Sequence, residues 1–155
     1  MPLSDVYRQM ARDVAPRVLE CAPEERDAYS WHLRIRAADC PEHLRNALLK
    51  ARESEMRWHL RFDDAFPLSP PRVRVQSPKF ERGTAHVLEG GALCAHLLTE
   101  SGWSSSGEGG LGVAVEALIA LMDDGAPSVT RKRTLYDEET ARDGFERAKR
   151  QHGWA

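Results

Sequence analysis

Cys94 is the residue whose type and setting best suit covalent chemistry. It follows two glycines, Gly90 and Gly91, in the segment 89–96, which reads Glu-Gly-Gly-Ala-Leu-Cys-Ala-His. A tight turn at the glycines can expose the residues after it, and a cysteine thiolate is a strong nucleophile that readily forms thioesters. Free cysteine is also among the most buried residue types. The local sequence therefore leaves two hypotheses open for Cys94, a nucleophile and a core residue.

Other patterns that could carry chemistry are weaker. Three cysteines and six histidines offer metal ligands, but the sequence has no Cys-x-x-Cys or His-x3–5-His pair, so no metal site is predicted. Residues 107–112, Gly-Glu-Gly-Gly-Leu-Gly, match the dinucleotide-binding fingerprint, yet no buried strand precedes them. Ser104 to Ser106 lack the Gly-x-Ser-x-Gly spacing of a serine nucleophile. The whole of 101–112 is therefore predicted to be a loop.

The composition bounds the class of protein. A chain of 155 residues with 41% hydrophobic residues is predicted to form a single domain over 1–155. The 22 basic and 24 acidic side chains leave a net charge of −2, which gives no general attraction to nucleic acid or membrane. The odd, widely spaced set of three cysteines excludes a disulfide-stapled secreted scaffold. With neither a signal peptide nor an apolar stretch of about 18 residues, the chain is expected to be a soluble cytoplasmic protein.

Hydrophobic periodicity predicts the elements that must position Cys94. Alternating apolar and polar residues indicate three strands, at 29–36, 56–62 and 72–76. Alternation of this kind favours an antiparallel sheet with one buried face. Apolar residues at helical spacing indicate helices at 4–20, 41–54, 113–122 and 137–152. Asp39 and Asp137 are the predicted caps of the second and fourth helices. This order of elements is typical of an α+β fold.

The outward positions of the predicted strands are rich in basic residues. Six arginines and two histidines would share one face of the sheet: Arg34, Arg36, Arg57, Arg61, Arg72, Arg74, His32 and His59. Such a face is either a solvated surface or a docking surface for an acidic protein or RNA. The aromatic residues fall in the buried phase of the strands, so this face lacks the stacking platforms that single-stranded RNA prefers.

Several motifs taken together resemble those of the ubiquitin-conjugating (E2) enzymes. They are Phe-Pro-Leu-Ser-Pro-Pro at 66–71 before a strand, Gly-Ala-Leu-Cys at 91–94 and Gly-Trp-Ser at 102–104. The chain looks closest to the Q-type branch, which shares the Gly-Gly-Ala-Leu-Cys run and a Leu-Leu-Thr-x-x-Gly-Trp-Ser stretch. That branch also has a final helix with a His-x-x-Gly-Trp or similar end, here His152-Gly153-Trp154. The resemblance covers the chain from Tyr29 to Trp154.

The resemblance implies both the fold and the reaction. The family fold is a four-stranded antiparallel meander packed by an N-terminal, a central and a C-terminal helix, and the fourth strand is expected either near 41–54 or in a degraded form. Cys94 would accept a ubiquitin-like protein as a thioester from an activating enzyme, and an amine, usually that of a lysine, would then attack the thioester. No cofactor is expected in this chain, because ATP is used by the activating enzyme.

The resemblance also implies roles for individual residues. Gly91 and Trp103 would support the cysteine, and Trp103 is expected to pack beneath it. The N-terminal helix would contact the activating enzyme, and two loops would contact a ligase. The residues expected at these partner contacts are Arg8, Arg12, Phe62, Pro70 and Ser105.

The chain departs from the common family pattern near the cysteine. Most members carry His-Pro-Asn with the asparagine eight residues before the cysteine; His86 occupies that position here, and the Q-type branch also lacks the motif. His86 is therefore predicted either to donate a hydrogen bond to the oxyanion or to order the loop. Asp124 is the candidate acid that helps the incoming ammonium lose its proton, with Asp123 and Ser128 as alternatives.

Three functions remain open from the sequence. The chain is an active conjugating enzyme, an inactive E2-like scaffold that binds a ubiquitin-like protein, or a small RNA- or protein-binding module that uses the arginine-rich face. The 18 arginines against four lysines favour a GC-rich genome such as a bacterial one. Some bacterial E2-like proteins are encoded beside a ubiquitin-like protein, an activating enzyme and a protease in phage defence. By analogy, an antiviral pathway is expected.

Overall fold

The computed structural model describes residues 18–105, 110–130 and 138–154. Its strands are β1 (Val18–Glu24), β2 (Asp27–Arg36), β3 (Glu55–Arg61) and β4 (Arg72–Ser77). Its α-helices are α1 (Glu42–Lys50), α2 (Glu100–Ser105), α3 (Gly110–Asp124) and α4 (Glu138–His152). Short 3-10 helices occupy Ala37–Asp39, Glu89–Gly91 and His96–Leu98. The predicted α+β class is confirmed, and none of the described helices is long and apolar enough to cross a membrane.

The four strands form one antiparallel meander in the order β1-β2-β3-β4. Between β2 and β3, His32 stands opposite His59 and Leu33 stands opposite Trp58. Side chains of paired residues share a face of the sheet, so this register sends the apolar residues to one side and the polar residues to the other. The three strands predicted from alternation are confirmed.

The position predicted for the fourth strand is wrong. Residues 41–54 form α1 and its flanks, whereas the fourth strand is β1, which pairs with β2. The helix predicted over 4–20 is therefore wrong at its end, and residues 4–17 lie outside the described residues. β1 is an edge strand, so Pro23 near its end is tolerated although it has no N–H to give to a ladder. Because β1 contains that proline and its apolar residues do not alternate regularly, hydrophobic periodicity does not predict it.

The core lies between the inner face of the sheet and helices α1 and α3. The inward side chains of β2, β3 and β4 are at most 6% exposed: Trp31, Leu33, Ile35, Met56, Trp58, Leu60, Val73 and Val75. The same cluster contains apolar side chains of the two helices: Leu44, Leu48, Leu111, Val115, Leu118, Ile119 and Met122. Burial of this one face is the reason that the alternation in the sequence was so regular.

The cap of α1 comes from another helix. The backbone N–H of Leu44 donates to Asp123 Oδ1 at the end of α3, at 2.8 Å. Asp39, which the sequence predicted as the cap, lies in the preceding 3-10 helix and forms an ion pair with Arg36 at 3.4 Å. Because the helix begins after Pro41, Asp39 is too far upstream to reach its first turn. A side-chain cap from a distant residue has no local sequence signal.

The predicted loop over 101–112 is also partly helical. α2 covers Glu100–Ser105, and α3 begins at Gly110. Thr99 Oγ1 accepts a hydrogen bond from the backbone N–H of Gly102 at 3.2 Å, and this is the side-chain N-cap that starts α2. The serines and glycines of this stretch concealed that signal. The predicted final helix is confirmed as α4, while its predicted cap Asp137 lies outside the described residues.

The outer face of the sheet is mixed in charge, not uniformly basic as predicted. Glu55 pairs with Arg34 at 3.0 Å and with Arg57 at 3.4 Å. Asp27 pairs with Arg61 at 3.1 Å. Exposed pairs of this kind contribute little stability, but they neutralise the charge on which recognition of RNA depends.

Candidate active site

Cys94 lies on a segment that extends the sheet beyond β4. Leu93 donates its backbone N–H to the carbonyl oxygen of Val73 at 3.0 Å, and Ala92 forms an isolated bridge with Arg74. The segment is therefore held at the free edge of β4. Cys94 itself is 9% exposed, and this burial raises the pKa of its thiol. A thiol in this setting is protonated at rest and reacts after it loses the proton.

A glycine turn brings the chain into this segment. Gly90 and Gly91 both have positive φ values, 81° and 86°. A Cβ atom on Gly90 would lie 2.3 Å from the backbone nitrogen of Ala141 in α4, so that contact requires a glycine. Gly91 lies in the turn that leads to Cys94, and its predicted support role stays a prediction. The close approach of α4 at Gly90 ties the C-terminal helix to the same turn.

His86 contacts the backbone of Cys94 twice. The N–H of Cys94 donates to the carbonyl oxygen of His86 at 2.7 Å, and His86 Nδ1 lies 2.9 Å from the carbonyl oxygen of Cys94. A carbonyl oxygen only accepts, so Nδ1 carries the proton of this bond. His86 adopts φ 67°, a left-handed conformation in which histidine is enriched among residues other than glycine. Of the two predicted roles for His86, this geometry suits ordering the loop.

The two aspartates at the end of α3 have different environments. Asp123 is engaged as the cap of α1, whereas Asp124 is exposed. The next residue, Gly125, packs against the loop that carries His86, because a Cβ on Gly125 would lie 2.8 Å from Cβ of Ala85. Asp124 is therefore one residue from a contact with the His86 loop. Ser128 has its carbonyl oxygen bonded to the N–H of Glu81 at 2.7 Å.

The sequence of the chain is similar to those of known ubiquitin-conjugating enzymes. No protein-family profile matches the chain. The chain is 34% identical over 122 residues to a Q-like ubiquitin-conjugating enzyme of Drosophila melanogaster, a match that covers 76% of this chain and 37% of that protein. It is 33% identical over 104 residues to the Homo sapiens ubiquitin-conjugating enzyme Q-like protein 1, covering 67% of this chain and 60% of that protein. The chain is a relative of the Q-type ubiquitin-conjugating enzymes. The resemblance predicted from the motifs is confirmed, and the chain spans less than two thirds of the length of these curated relatives.

Solved structures show the same fold for this Q-type relative. Pex4p of H. polymorpha, crystallised with the soluble domain of Pex22p, matches with a TM-score of 0.58 at 16% identity, covering 79% of this chain and 76% of that one. Human ubiquitin-conjugating enzyme E2 G1 matches with a TM-score of 0.57 at 17% identity, covering 79% and 92%. At these identities the likeness shows the fold alone, which is the ubiquitin-conjugating (UBC) fold.

Trp103 of this Q-type relative belongs to an aromatic cluster beside the proline turn. Its Nε1 donates to the carbonyl oxygen of Pro67 at 2.7 Å, and its ring centroid is 6.2 Å from that of Phe66. Trp103 therefore joins α2 to the proline turn. Its expected packing beneath Cys94 stays a prediction.

The partner contacts expected from the family are only partly accessible. Phe62 is 4% exposed and packs against Trp31 and Phe66, so its prediction as a docking residue is wrong. It closes the core at the end of β3 because it continues the inward phase of that strand. Pro70 is half-buried on the proline turn, and the exposed apolar residue of that turn is Leu68. Ser105 ends α2, and Arg8 and Arg12 lie outside the described residues.

The C-terminal end of the chain lies beside the segment that follows Cys94. The ring of Trp154 stacks on His152 at 4.5 Å and lies 5.8 Å from the ring of His96. His96 Nε2 is also 3.3 Å from Ser101 Oγ at the start of α2. In the sequence the His-Gly-Trp ending contributes only to the family resemblance, and no local pattern predicts this contact. The contact with His96 gives a structural reason for an aromatic residue two positions after the end of α4.

Proposed function

We propose that this chain is an E2-type conjugating enzyme that accepts a ubiquitin-like protein as a thioester on Cys94. The observation that carries the proposal is the pair of hydrogen bonds between Cys94 and His86, one from the histidine ring and one between backbone groups. They hold Cys94 in a segment at the edge of β4. These contacts fix a nucleophilic residue type at the end of a glycine turn, where a partner's thioester can be presented to it. Similarity to Q-type ubiquitin-conjugating enzymes supports the same reaction class.

The proposed chemistry consists of two acyl transfers. In loading, the Cys94 thiolate attacks the thioester carbonyl of the modifier on an E1-like activating enzyme, and the E1 cysteine leaves as a thiolate. In discharge, an amine such as that of a lysine attacks the new thioester, Cys94 leaves as a thiolate, and the attacking nitrogen loses a proton. ATP is consumed by the activating enzyme, and the chain itself needs no cofactor for either step.

Two residues have proposed supporting roles. His86 acts as a positioning residue, because its Nδ1–H holds the carbonyl oxygen of Cys94 and so restrains the backbone that carries the thiol. Asp124 accepts the proton of the incoming ammonium, since it is exposed and lies next to the Gly125–Ala85 contact with the His86 loop. The acceptor is a target protein, with or without a ligase that docks on the exposed proline turn around Leu68.

A loading assay tests the proposal directly. The chain is incubated with ubiquitin, its activating enzyme and ATP, and the products are separated on non-reducing gels. An adduct that thiol reductants remove is expected for the wild-type chain and for Cys40→Ser, because Cys40 is a buried core residue. Cys94→Ala should give no adduct, and Cys94→Ser should give an adduct that resists reductant. An adduct that persists in Cys94→Ala would contradict the proposal.

An inactive scaffold is the second candidate, favoured by the 9% exposure of Cys94 and the raised pKa of its thiol. A scaffold would bind the modifier without forming the adduct, and Cys94→Ala would bind it as tightly as the wild-type chain does. The mixed charge of the outer sheet face gives no comparable support to an RNA-binding module.

We further propose a cytoplasmic antiviral pathway of a bacterium as the setting. Its support is the arginine-over-lysine composition together with an E2-type domain. Expression of this gene together with its neighbouring genes should reduce phage plaque counts, and Cys94→Ala should restore them. Equal plaque counts for the two alleles would contradict this setting while leaving the loading assay unaffected.

A further inference from the structure

Three metal-ligating side chains meet on the outer face of the sheet. His32 of β2 and His59 of β3 are directly opposite each other in the ladder, with ring centroids 5.1 Å apart. Glu24, at the end of β1, reaches the same spot and brings Oε1 to 2.6 Å from His32 Nε2. One donor atom from each of the three residues lies within 4.8 Å of the others. The sequence predicted no metal site, because the two histidines lie on different strands and far apart in the chain.

We propose that Glu24, His32 and His59 bind a divalent transition-metal ion, for which zinc is the best match. Two imidazoles and one carboxylate form a ligand set that zinc accepts, with a fourth position left for water. Imidazole ligands also favour zinc, copper or nickel over calcium or magnesium. Ligand atoms around tetrahedral zinc are about 3.3 Å apart, given bonds of about 2.0 Å, so modest side-chain rotations would close the site.

Gln76 supports the histidine that is most accessible to the ion. Its Oε1 lies 3.2 Å from Nδ1 of His32. With the proton on Nδ1 directed at this oxygen, Nε2 presents a lone pair toward Glu24. Histidines that bind metals almost always donate their second N–H in this way. Nε2 of His32 and Oε1 of Glu24 are 2.6 Å apart, and the ion takes the place of the contact between them when it binds.

His59 is the ligand that must rearrange. It is 4% exposed, its Nε2 lies 2.6 Å from Ser30 Oγ, and its Nδ1 accepts a hydrogen bond from Arg74 Nε at 3.3 Å. Coordination through Nε2 moves the ring proton to Nδ1, where it faces the N–H of Arg74. The guanidinium must therefore turn away when the ion binds. Arg74 opposes binding both by this donor–donor conflict and by its positive charge.

The proposed site is one strand away from the Cys94 segment, and Arg74 of the intervening β4 contacts both. The ligands of the site come from β1, β2 and β3, whereas the Cys94 segment lies against the far edge of β4. A bound ion would link the edge strand β1 to the two central strands. Because it binds the folded chain alone, the ion would raise the midpoint of thermal unfolding.

Metal titration of the full chain tests the proposal. The protein carries Cys→Ser changes at positions 21, 40 and 94, so that binding by thiolates is excluded, and it is stripped with a chelator. Zinc binding is measured by calorimetry, and cobalt is used as a spectroscopic probe of tetrahedral coordination. One ion per chain and a rise in the unfolding midpoint are expected. His32→Ala should weaken binding by about tenfold or more, since it removes a ligand.

Two further variants make the result decisive. His43→Ala removes an exposed histidine of α1 and should leave binding unchanged. Arg74→Gln removes the opposing charge and supplies an amide oxygen for Nδ1–H, so it should tighten binding. The proposal is overturned by absence of saturable binding. Equal affinity in His32→Ala and His43→Ala would also overturn it, because the ion would then be adventitious.

Discussion

His86 and Cys94 exchange two hydrogen bonds although eight residues separate them. The Cys94 N–H donates to the His86 carbonyl oxygen at 2.7 Å, and His86 Nδ1–H donates to the Cys94 carbonyl oxygen at 2.9 Å. The histidine side chain thus takes the place of a second backbone donor. Both peptide groups of Cys94 are therefore held in place by His86.

His86→Ala removes the Nδ1 donor while leaving the backbone bond in place. One hydrogen bond contributes roughly 1 kcal/mol, so loading and discharge should both slow by about five- to tenfold. His86→Asn restores a side-chain donor in a residue that tolerates positive φ, and it should recover part of the loss. Single-turnover rates measure the effect, with His43→Ala as the matched control. Rates for His86→Ala equal to those of the control would rule out the positioning role.

Burial of Cys94 predicts the pH dependence of its alkylation. Burial raises the pKa of the thiol, so the thiolate fraction at neutral pH is smaller than for a free cysteine. The rate with iodoacetamide in a Cys21→Ser, Cys40→Ser chain should therefore keep rising with pH beyond the point where a free thiol levels off. A plateau at a lower pH than that of a small thiol would show an activated cysteine instead.

Gly90 is the position in the turn where a methyl group has no space. Gly90→Ala should destabilise the chain by about 2–5 kcal/mol, because strain at positive φ adds to the clash with Ala141. Gly83 also has positive φ, at 91°, but nothing lies within 4 Å of its Cβ position. Gly83→Ala should therefore cost only about 1–2 kcal/mol. Urea unfolding compares the two, and equal costs would show that close packing of α4 is unimportant.

Substitutions of the two adjacent aspartates of α3 should have different effects: Asp123→Ala should lower stability, and Asp124→Ala should lower activity. Asp123→Ala removes the cap of α1 and should lower the free energy of unfolding by about 1 kcal/mol. Asp124→Ala should leave stability within about 0.5 kcal/mol but slow aminolysis of the thioester, with loading unchanged. Chemical denaturation and discharge to free lysine measure the two effects. Loss of loading in Asp124→Ala would argue against its role as the proton acceptor.

Phe62, which was expected at a partner contact, should matter for stability, whereas the exposed Leu68 should not. Phe62→Ala leaves a hole against Trp31 and Phe66 and should destabilise the fold by about 3–5 kcal/mol. Leu68 is 84% exposed, so Leu68→Ala should change stability by less than about 0.5 kcal/mol. Thermal unfolding distinguishes the pair. An unchanged unfolding midpoint in Phe62→Ala would mean that Phe62 is not a core residue and is again a candidate for a partner contact.

The sequence predicted what depends on periodicity and missed what depends on distant contacts. β2, β3 and β4 alternate regularly because one face of each is buried, and the inward residues were identified correctly. β1 was missed because an edge strand ending in Pro23 and Glu24 has no such pattern. Asp39 was chosen as a cap because local rules cannot find Asp123.

The same limit applies to the sites. Cys94 was singled out by its residue type and its glycine-rich setting, and His86 by the resemblance to the ubiquitin-conjugating enzymes; the fold brings them together. The Glu24, His32 and His59 cluster depends on strand register, which ligand-spacing rules for a single segment cannot express. The contact of Trp154 with His96 likewise requires α4 to be docked against the turn at Gly90.

The cap that Asp123 provides for α1 has a consequence for how the chain folds. α1 has nine residues, a length at which an isolated helix is marginal in water. Its capping carboxylate lies 79 positions later in the chain. During synthesis the α1 segment therefore leaves the ribosome long before its cap exists, and the helix is completed only when α3 docks. The cap of α1 is thus a late, non-local contact and not part of the helix's own segment.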